Sequence, residues 1–419
     1  MQESAYWAAA EARAAAADAA DPLARFRDGF ALPEGCVYLA GNSLGPAPRR
    51  SLATLDRAAR EEWAVGLVGS WNAAGWFDLP CRLGDALAPV LGAAPGQVVV
   101  CDAISLNLYK VISAALALRP GRHVIVAEGA GFPTDLYVLE GLCQSRPELR
   151  LRLEGRDRAE LEDLIDESVA VVLVNHVDYR SARRRDLAEL TARIQASGAL
   201  AVWDLSHSAG VMEIGLDAAE ADLAVGCTYK YLNGGPGGPG FLYCAERHLA
   251  DAVQPLTGWW GHADPFAFRP DFVPDSGIRK FLCGTQPVLS MRMVEAGIVL
   301  AAEAGPAALR AKSVALTERF IELVSEGCAG LGLQLISPRE AECRGAHVAL
   351  SHVEGRAVMQ ALIARGVVGD FRAPDTIRFG FSPLYVRHVD VVAAARALQD
   401  VLRTRAWAGE SPSEAGVVT

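Results

Sequence analysis

Between Val98 and Tyr243, short runs of β-branched and other apolar residues alternate with longer segments whose apolar positions recur at helical spacing. The pattern predicts strands at Val98–Cys101, His123–Ala127, Ala170–Asn175, Leu200–Trp203, Leu223–Gly226 and Gly240–Tyr243. Helices such as Ser105–Leu118 and Asp186–Ala196 fall between them. Such alternation implies an α/β fold with a mostly parallel sheet covered on both faces. Ligands of such sheets sit at the carboxyl ends of the strands. After Pro287 the pattern changes to long helices, Val288–Ala304 and Val314–Leu331, then a few short strands and a last helix at Val391–Arg403. The expected organisation is an N-terminal arm (1–45), a large domain (46–286), a smaller α+β domain (287–408) and a frayed tail (409–419).

Length agrees with that division, because 419 residues exceed what one hydrophobic core usually organises. A formal net charge of −10 argues against a nucleic-acid or anionic-membrane partner and leaves small molecules. Arg183–Arg185 precedes Asp186 and a helical pattern, so it reads as a solvated helix start. The nine cysteines stand singly, as expected of buried thiols in a reducing compartment, and the histidines lack metal-ligand spacing with them, so no metal is expected. The alanine-rich start, Ala8–Ala20, carries Glu11, Arg13 and Asp18 and reads as an amphipathic helix rather than a signal peptide. A cytoplasmic protein with no membrane span is the expectation.

Two strand ends carry the candidate chemistry. Asp204 closes a buried strand with His207 three residues on, and a later strand leads into Tyr229, Lys230 and the glycine-rich Gly234–Gly240. Either residue alone reads as a capping aspartate or a solvated lysine. Together they can face one planar cofactor, pyridoxal 5'-phosphate (PLP): a carboxylate keeps the pyridine nitrogen protonated and a lysine holds the aldehyde carbon. Ile104 and Ser105 open the first helix of the large domain, where free amides and a hydroxyl suit a phosphate; Ser105 as a plain N-cap is the simpler alternative. Phe132, Thr134 and Asp135 follow the next strand, and Phe132 is placed either to stack on the pyridine or merely to pack.

Six segments in this order resemble the kynureninase family over nearly the whole chain. They are Val37–Gly45, Gly69–Asn72, Phe132–Asp135, Asp204–His207, Thr228–Gly237 and Gly258–His262. The Tyr229–Asn233 and Gly258–His262 strings are the most specific. A strand-end Asp and Lys by themselves identify only the aminotransferase-like fold, PLP-dependent fold type I, with its large domain built on a mostly parallel seven-stranded sheet.

The resemblance implies roles. Lys230 binds the cofactor aldehyde, Asp204 pairs with the pyridine nitrogen, and His207 contacts the cofactor. Ile104, Ser105, Phe132, Thr134, Asp135 and Asn175 line its site, Tyr229 and Trp259 bind phosphate, and Thr285 reaches cofactor or substrate across a homodimer interface. Arg378, in Thr376–Tyr385, grips the substrate α-carboxylate; a surface salt bridge is its simpler alternative. Trp71 and Asn42 fall near the substrate. Tyr229 is the candidate proton donor, although its phenol also suits a phosphate. Thr134 stands where some relatives have Ser, and Asn175 where a hydroxyl residue is common; both keep a hydrogen-bonding group.

The implied reaction is hydrolytic Cβ–Cγ cleavage of L-kynurenine to anthranilate and L-alanine, in tryptophan degradation, with 3-hydroxykynurenine a poorer substrate. Thr285 carries that preference: relatives favouring the 3-hydroxy substrate resemble this stretch but have asparagine there. The alternative is that Thr285 only binds the PLP phosphate from the neighbouring subunit and that Trp71, near the expected substrate ring, sets selectivity by shape. A cysteine desulfurase remains a rival within the fold, although Tyr229 stands where such enzymes usually have histidine and no cysteine lies in a recognisable active-site loop. A non-catalytic relative is the rival outside enzymes.

Overall fold

The computed structural model describes residues 2–155 and 159–407, so the expected tail lies outside the described residues. Its main sheet has seven strands, in spatial order Val98–Val100, Phe241–Cys244, Leu223–Gly226, Leu200–Asp204, Val169–Asn175, Val124–Ala127 and Arg150–Leu153. Phe241–Cys244 runs antiparallel to both neighbours and the remaining pairs are parallel. Every residue of Val169–Asn175 and Leu200–Asp204 is buried, which is why these strands read as unbroken apolar runs. Successive residues serve opposite faces: Val172 and Val174 join one core, Val171 and Leu173 the other.

Six of the seven strands lie where the apolar runs predict them. The seventh, Arg150–Leu153, sits at the sheet edge and alternates arginine with half-buried leucine, so it carries no apolar run to detect.

Helix Leu187–Ala196 begins where Asp186 accepts a 2.9 Å hydrogen bond from the Glu189 amide. The long helix after Gly305 runs Pro306–Gly327, earlier at both ends than the apolar pattern suggests. Pro306 supplies a preorganised first turn, and Gly330 and Gly332, both at positive φ, follow its end. Arg183–Arg185 is not uniformly solvated. Arg185 is enclosed by Glu128 at 3.0 Å and Glu154 at 2.6 Å, so this residue braces the loop after Val124–Ala127.

A second, four-stranded antiparallel sheet has the order Asp370–Arg372, Thr376–Gly380, His347–Ser351, Gln334–Leu335. The N-terminal helix Gln2–Ala19 buries Trp7, Ala10 and Ala14 and lies against His388–Thr404, with the Trp7 indole donating to Gln399 Oε1 at 3.0 Å. Val37–Tyr38 then pairs in parallel with Val367–Val368, which delivers Asn42 to the end of the Thr376–Gly380 strand, where Gly380 lies against it. Gly380 is required there: a Cβ would strike the Asn42 side chain and stand 2.9 Å from its amide nitrogen. All nine cysteines are free, and no helix among the described residues is long and apolar enough to cross a membrane.

Candidate active site

Four adjacent parallel strands end at one place. Val124–Ala127 leads to Phe132, Thr134 and Asp135; Val169–Asn175 ends in Asn175; Leu200–Asp204 ends in Asp204 and leads to His207; Leu223–Gly226 leads to Tyr229 and Lys230. Asn175 and Asp204 are direct partners in the sheet register. Phe132 is the N-cap of helix Pro133–Ser145, and Asp135 lies in its first turn. Asn175 ties these together: its Nδ2 donates to Asp135 at 2.9 Å, its Oδ1 accepts from the Phe132 amide at 3.4 Å, and its own amide donates to Glu128 at 2.8 Å.

Lys230 is buried, with Nζ 3.3 and 3.5 Å from the two ring nitrogens of His207 and 5.7 Å from the centre of the Phe132 ring. Burial pushes the Asp204 carboxyl above its ordinary range against the opposing pull of Lys230. Burial and the neighbouring Asp204 charge push Asp135 further up. Two carboxyls therefore face each other in a dry space that holds one amine. A cation donating into this gap, such as a pyridinium N–H, would relieve both. His207 and its neighbour His347, with ring centres 5.7 Å apart, are held neutral by burial; Lys230 next opposes a charge on His207, and Arg378 one on His347. Burial, and then Cys227, raises the Tyr229 phenol, so it stays protonated and able to donate.

Arg378 is buried in the Thr376–Gly380 strand and is no surface salt bridge. Its Nε and Nη2 donate to the two carboxylate oxygens of Asp370 at 2.7 and 2.5 Å, and Nη1 donates to the Tyr179 carbonyl. Of the five guanidinium N–H groups, three are thus engaged, so a substrate carboxylate must use what remains on Nη1 and Nη2. Asn42 is fully buried with both side-chain atoms lacking a hydrogen-bond partner, and the buried Tyr231 hydroxyl lacks one too. Buried polar groups left so are costly unless water or a ligand meets them.

The N-cap of helix Ile104–Ala117 is Ala103, not Ser105. Ile104 and Ser105 stand in its first turn, with no side chain capping it. Trp71 packs edge-on against Trp260 at 5.4 Å and Trp259 at 6.2 Å. Trp259 and Thr285 are exposed, not enclosed with the Lys230 group. The Thr285 loop is nevertheless fixed, since Gln286 accepts from the Asp102 amide at 2.9 Å and donates back to its carboxylate at 3.2 Å.

Asp370, the buried partner of Arg378, is a site residue that the sequence does not point to. Asp370 lies opposite Arg378 in the antiparallel register across the turn Ala373–Asp375. No sequence signal marks His347, whose place beside His207 depends on how the second sheet meets the first.

A mostly parallel seven-stranded sheet with an aspartate and a lysine at neighbouring strand ends defines the PLP-dependent fold type I architecture. Solved structures agree at the level of fold: a cysteine desulfurase from Thermococcus onnurineus NA1 is similar with a TM-score of 0.75 and 20% identity over 91% of this chain and 98% of that one. A cysteine desulfurase from Escherichia coli follows at 0.74 and 18%, over 91% and 98%. The chain belongs to the kynureninase family. It is 51% identical to the kynureninase of Burkholderia pseudomallei (strain K96243) over 94% of this chain and 96% of that protein, and 50% identical to that of Pseudomonas fluorescens over 94% and 95%. Residues 309–398 match the kynureninase C-terminal domain model.

Proposed function

We propose that this chain is a PLP-dependent kynureninase that hydrolyses L-kynurenine to anthranilate and L-alanine in tryptophan catabolism. The observation that carries it is the meeting of Lys230, Asp204, Asp135, Asn175, His207 and Phe132 at four strand ends in a chain of that family. The residues present fit the cofactor, since burial raises both the Asp204 and the Asp135 carboxyl, which a pyridinium N–H between them would relieve, and the buried Lys230 amine stands 5.7 Å from the centre of the Phe132 ring.

When bound, the cofactor supplies an electron sink conjugated to the substrate Cα. Lys230 would hold its aldehyde carbon, and the free Lys230 amine would take the substrate Cα proton. Asp204 holds the pyridine N–H, with Asp135 and Asn175 fixing its orientation. His207, kept neutral, accepts a hydrogen bond beside the lysine without adding charge. Ile104, Ser105, Thr134 and Tyr229 serve the phosphate end, with Trp259 and, from the partner subunit, the loop bearing Thr285. Arg378 holds the α-carboxylate beside Asn42, and Trp71 covers the substrate ring. Water adds to the γ-carbonyl, the Cβ–Cγ bond breaks with its electron pair left on Cβ to release anthranilate, Tyr229 donates a proton to Cβ, and the Lys230 amine returns a proton to Cα to complete L-alanine.

The reading includes a homodimer, the division into arm, large and small domains, and a cytoplasmic setting. Exposed Trp63, Val65, Val68, Phe266 and Phe268 support the dimer, because so much apolar surface calls for a cover. The test is purified protein supplied with PLP and either L-kynurenine or L-cysteine: anthranilate from the first and no sulfide from the second is expected, and the reverse sinks the reading in favour of a desulfurase.

Arg378→Lys should raise the KM for kynurenine about tenfold or more with PLP affinity nearly unchanged, because an ammonium can neither satisfy Asp370 at two points nor present a second fork. Unaltered substrate binding would remove Arg378 from the carboxylate site. At Thr285, a short side chain without a buried amide leaves a ring hydroxyl to bear its desolvation, typically ~1–3 kcal/mol. Wild type should therefore have the higher kcat/KM for L-kynurenine than for the 3-hydroxy form, with the ratio narrowed in Thr285→Asn. Equal constants in wild type defeat the substrate preference, and an unchanged ratio in the variant defeats the part played by Thr285.

A further inference from the structure

Phe132 and Arg378 come from opposite sides of the site, one at the end of the main sheet and the other on the second sheet. One residue touches both. The Tyr179 ring meets the Phe132 ring edge-on, with centres 5.3 Å apart and planes at 89°, and the Tyr179 carbonyl accepts from Arg378 Nη1. Tyr179 is buried, and Arg180 lies over its ring at 5.7 Å.

The loop that carries it is built to hold this position. Asp178 closes a turn by accepting from the Ser181 amide at 2.6 Å through its side chain and from the Ala182 amide at 2.9 Å through its carbonyl, while its own amide donates to the Arg183 carbonyl at 2.9 Å. Although the loop follows a main-sheet strand, its far side is paired with the segment leading into the second sheet: the Arg184 amide donates to Cys343 and the Gly345 amide to Ala182, both at 2.8 Å. Arg344, buried, anchors that segment through Glu318 and the carbonyls of Pro338 and Arg339. Gly345 leaves room for the Val177 side chain at this junction, since a Cβ there would stand 2.6 Å from Val177 Cγ1.

We propose that Tyr179 is a positioning residue that couples the aromatic face of the cofactor site to the carboxylate-binding arginine, so that ring stacking at Phe132 and substrate grip at Arg378 are set together. This rests on the PLP and carboxylate roles given above. A ring edge against Phe132 fixes the tilt of that side chain, and the carbonyl on the same residue fixes the rotation of the guanidinium. Because the loop is hydrogen-bonded to the second sheet, any shift of that sheet reaches Phe132 through Tyr179.

The test uses holoenzyme and cofactor-stripped protein of Tyr179→Leu, Tyr179→Phe and Gly345→Ala. PLP affinity is read by titrating stripped protein, the tilt of the bound cofactor by its visible circular dichroism, and substrate grip by KM against kcat. Tyr179→Leu should weaken PLP binding and raise the KM for kynurenine by about fivefold each, change the dichroic band, and leave kcat within about threefold. Tyr179→Phe keeps the ring and should restore all three to within about twofold. Gly345→Ala, which touches neither cofactor nor substrate, should move PLP affinity and KM in the same direction by a smaller factor, and it decides the matter if the leucine variant fails to fold. Movement of only one of the two readouts, no movement in either, or a phenylalanine variant as impaired as leucine would overturn the coupling. Absence of anthranilate from wild type would instead remove the underlying activity, a separate outcome.

Discussion

Lys230→Ala is expected to lower kynurenine turnover by at least about a thousandfold and to remove the visible absorbance of the lysine-bound cofactor. The size follows from placement. Lys230 is the amine enclosed with His207, Phe132 and the two carboxyls, while Lys110 is committed to Asp102 and the Phe281 carbonyl and Lys312 to Asp21 at 2.7 Å. Neither of those can substitute for it. Residual turnover within tenfold of wild type, or retention of a borohydride-reducible band in the variant, would refute the assignment.

Asp204→Asn should reduce kcat for kynurenine by about a thousandfold, equivalent to ~4 kcal/mol of transition-state stabilisation. An amide cannot hold a proton on the pyridine nitrogen, so the electron sink is lost while the shape of the site is kept. The neighbouring carboxyl should respond as well. Burial raises Asp135 first and the Asp204 charge second, so removing that charge should bring Asp135 back toward the ordinary carboxylate range and let it take over part of the role. Asp135→Asn alone should accordingly cost less than Asp204→Asn, and the double variant more than either. A single Asp204→Asn variant with kcat within a few-fold of wild type would count against the pairing.

Much of the fold was legible because buried parallel strands leave unbroken apolar runs, as Val169–Asn175 and Leu200–Asp204 do, and because caps such as Asp186 mark helix starts. Arg150–Leu153 escaped because an edge strand keeps only alternate residues apolar. The candidate site was legible where the chemistry lies at strand ends adjacent in the sheet: Asp204, Lys230, Asn175 and the Phe132–Asp135 turn. It was not legible where the partner comes from another layer. Asp370 occupies the Nε edge of Arg378 through strand register, and Tyr179 reaches both Phe132 and Arg378 from a loop whose place is set by pairing with Cys343–Gly345. Such contacts depend on how two sheets meet, which local pattern does not encode. Ser105 shows the opposite error, a residue type that suits an N-cap standing two positions past the cap at Ala103.

The most direct measurement is the product balance of the purified protein, stripped of cofactor and then given PLP and L-kynurenine, with anthranilate and L-alanine quantified together. Equal amounts of the two products, formed only after PLP is added, are the predicted result. Consumption of kynurenine without anthranilate, or no consumption at all by protein that has bound PLP at Lys230, would contradict it.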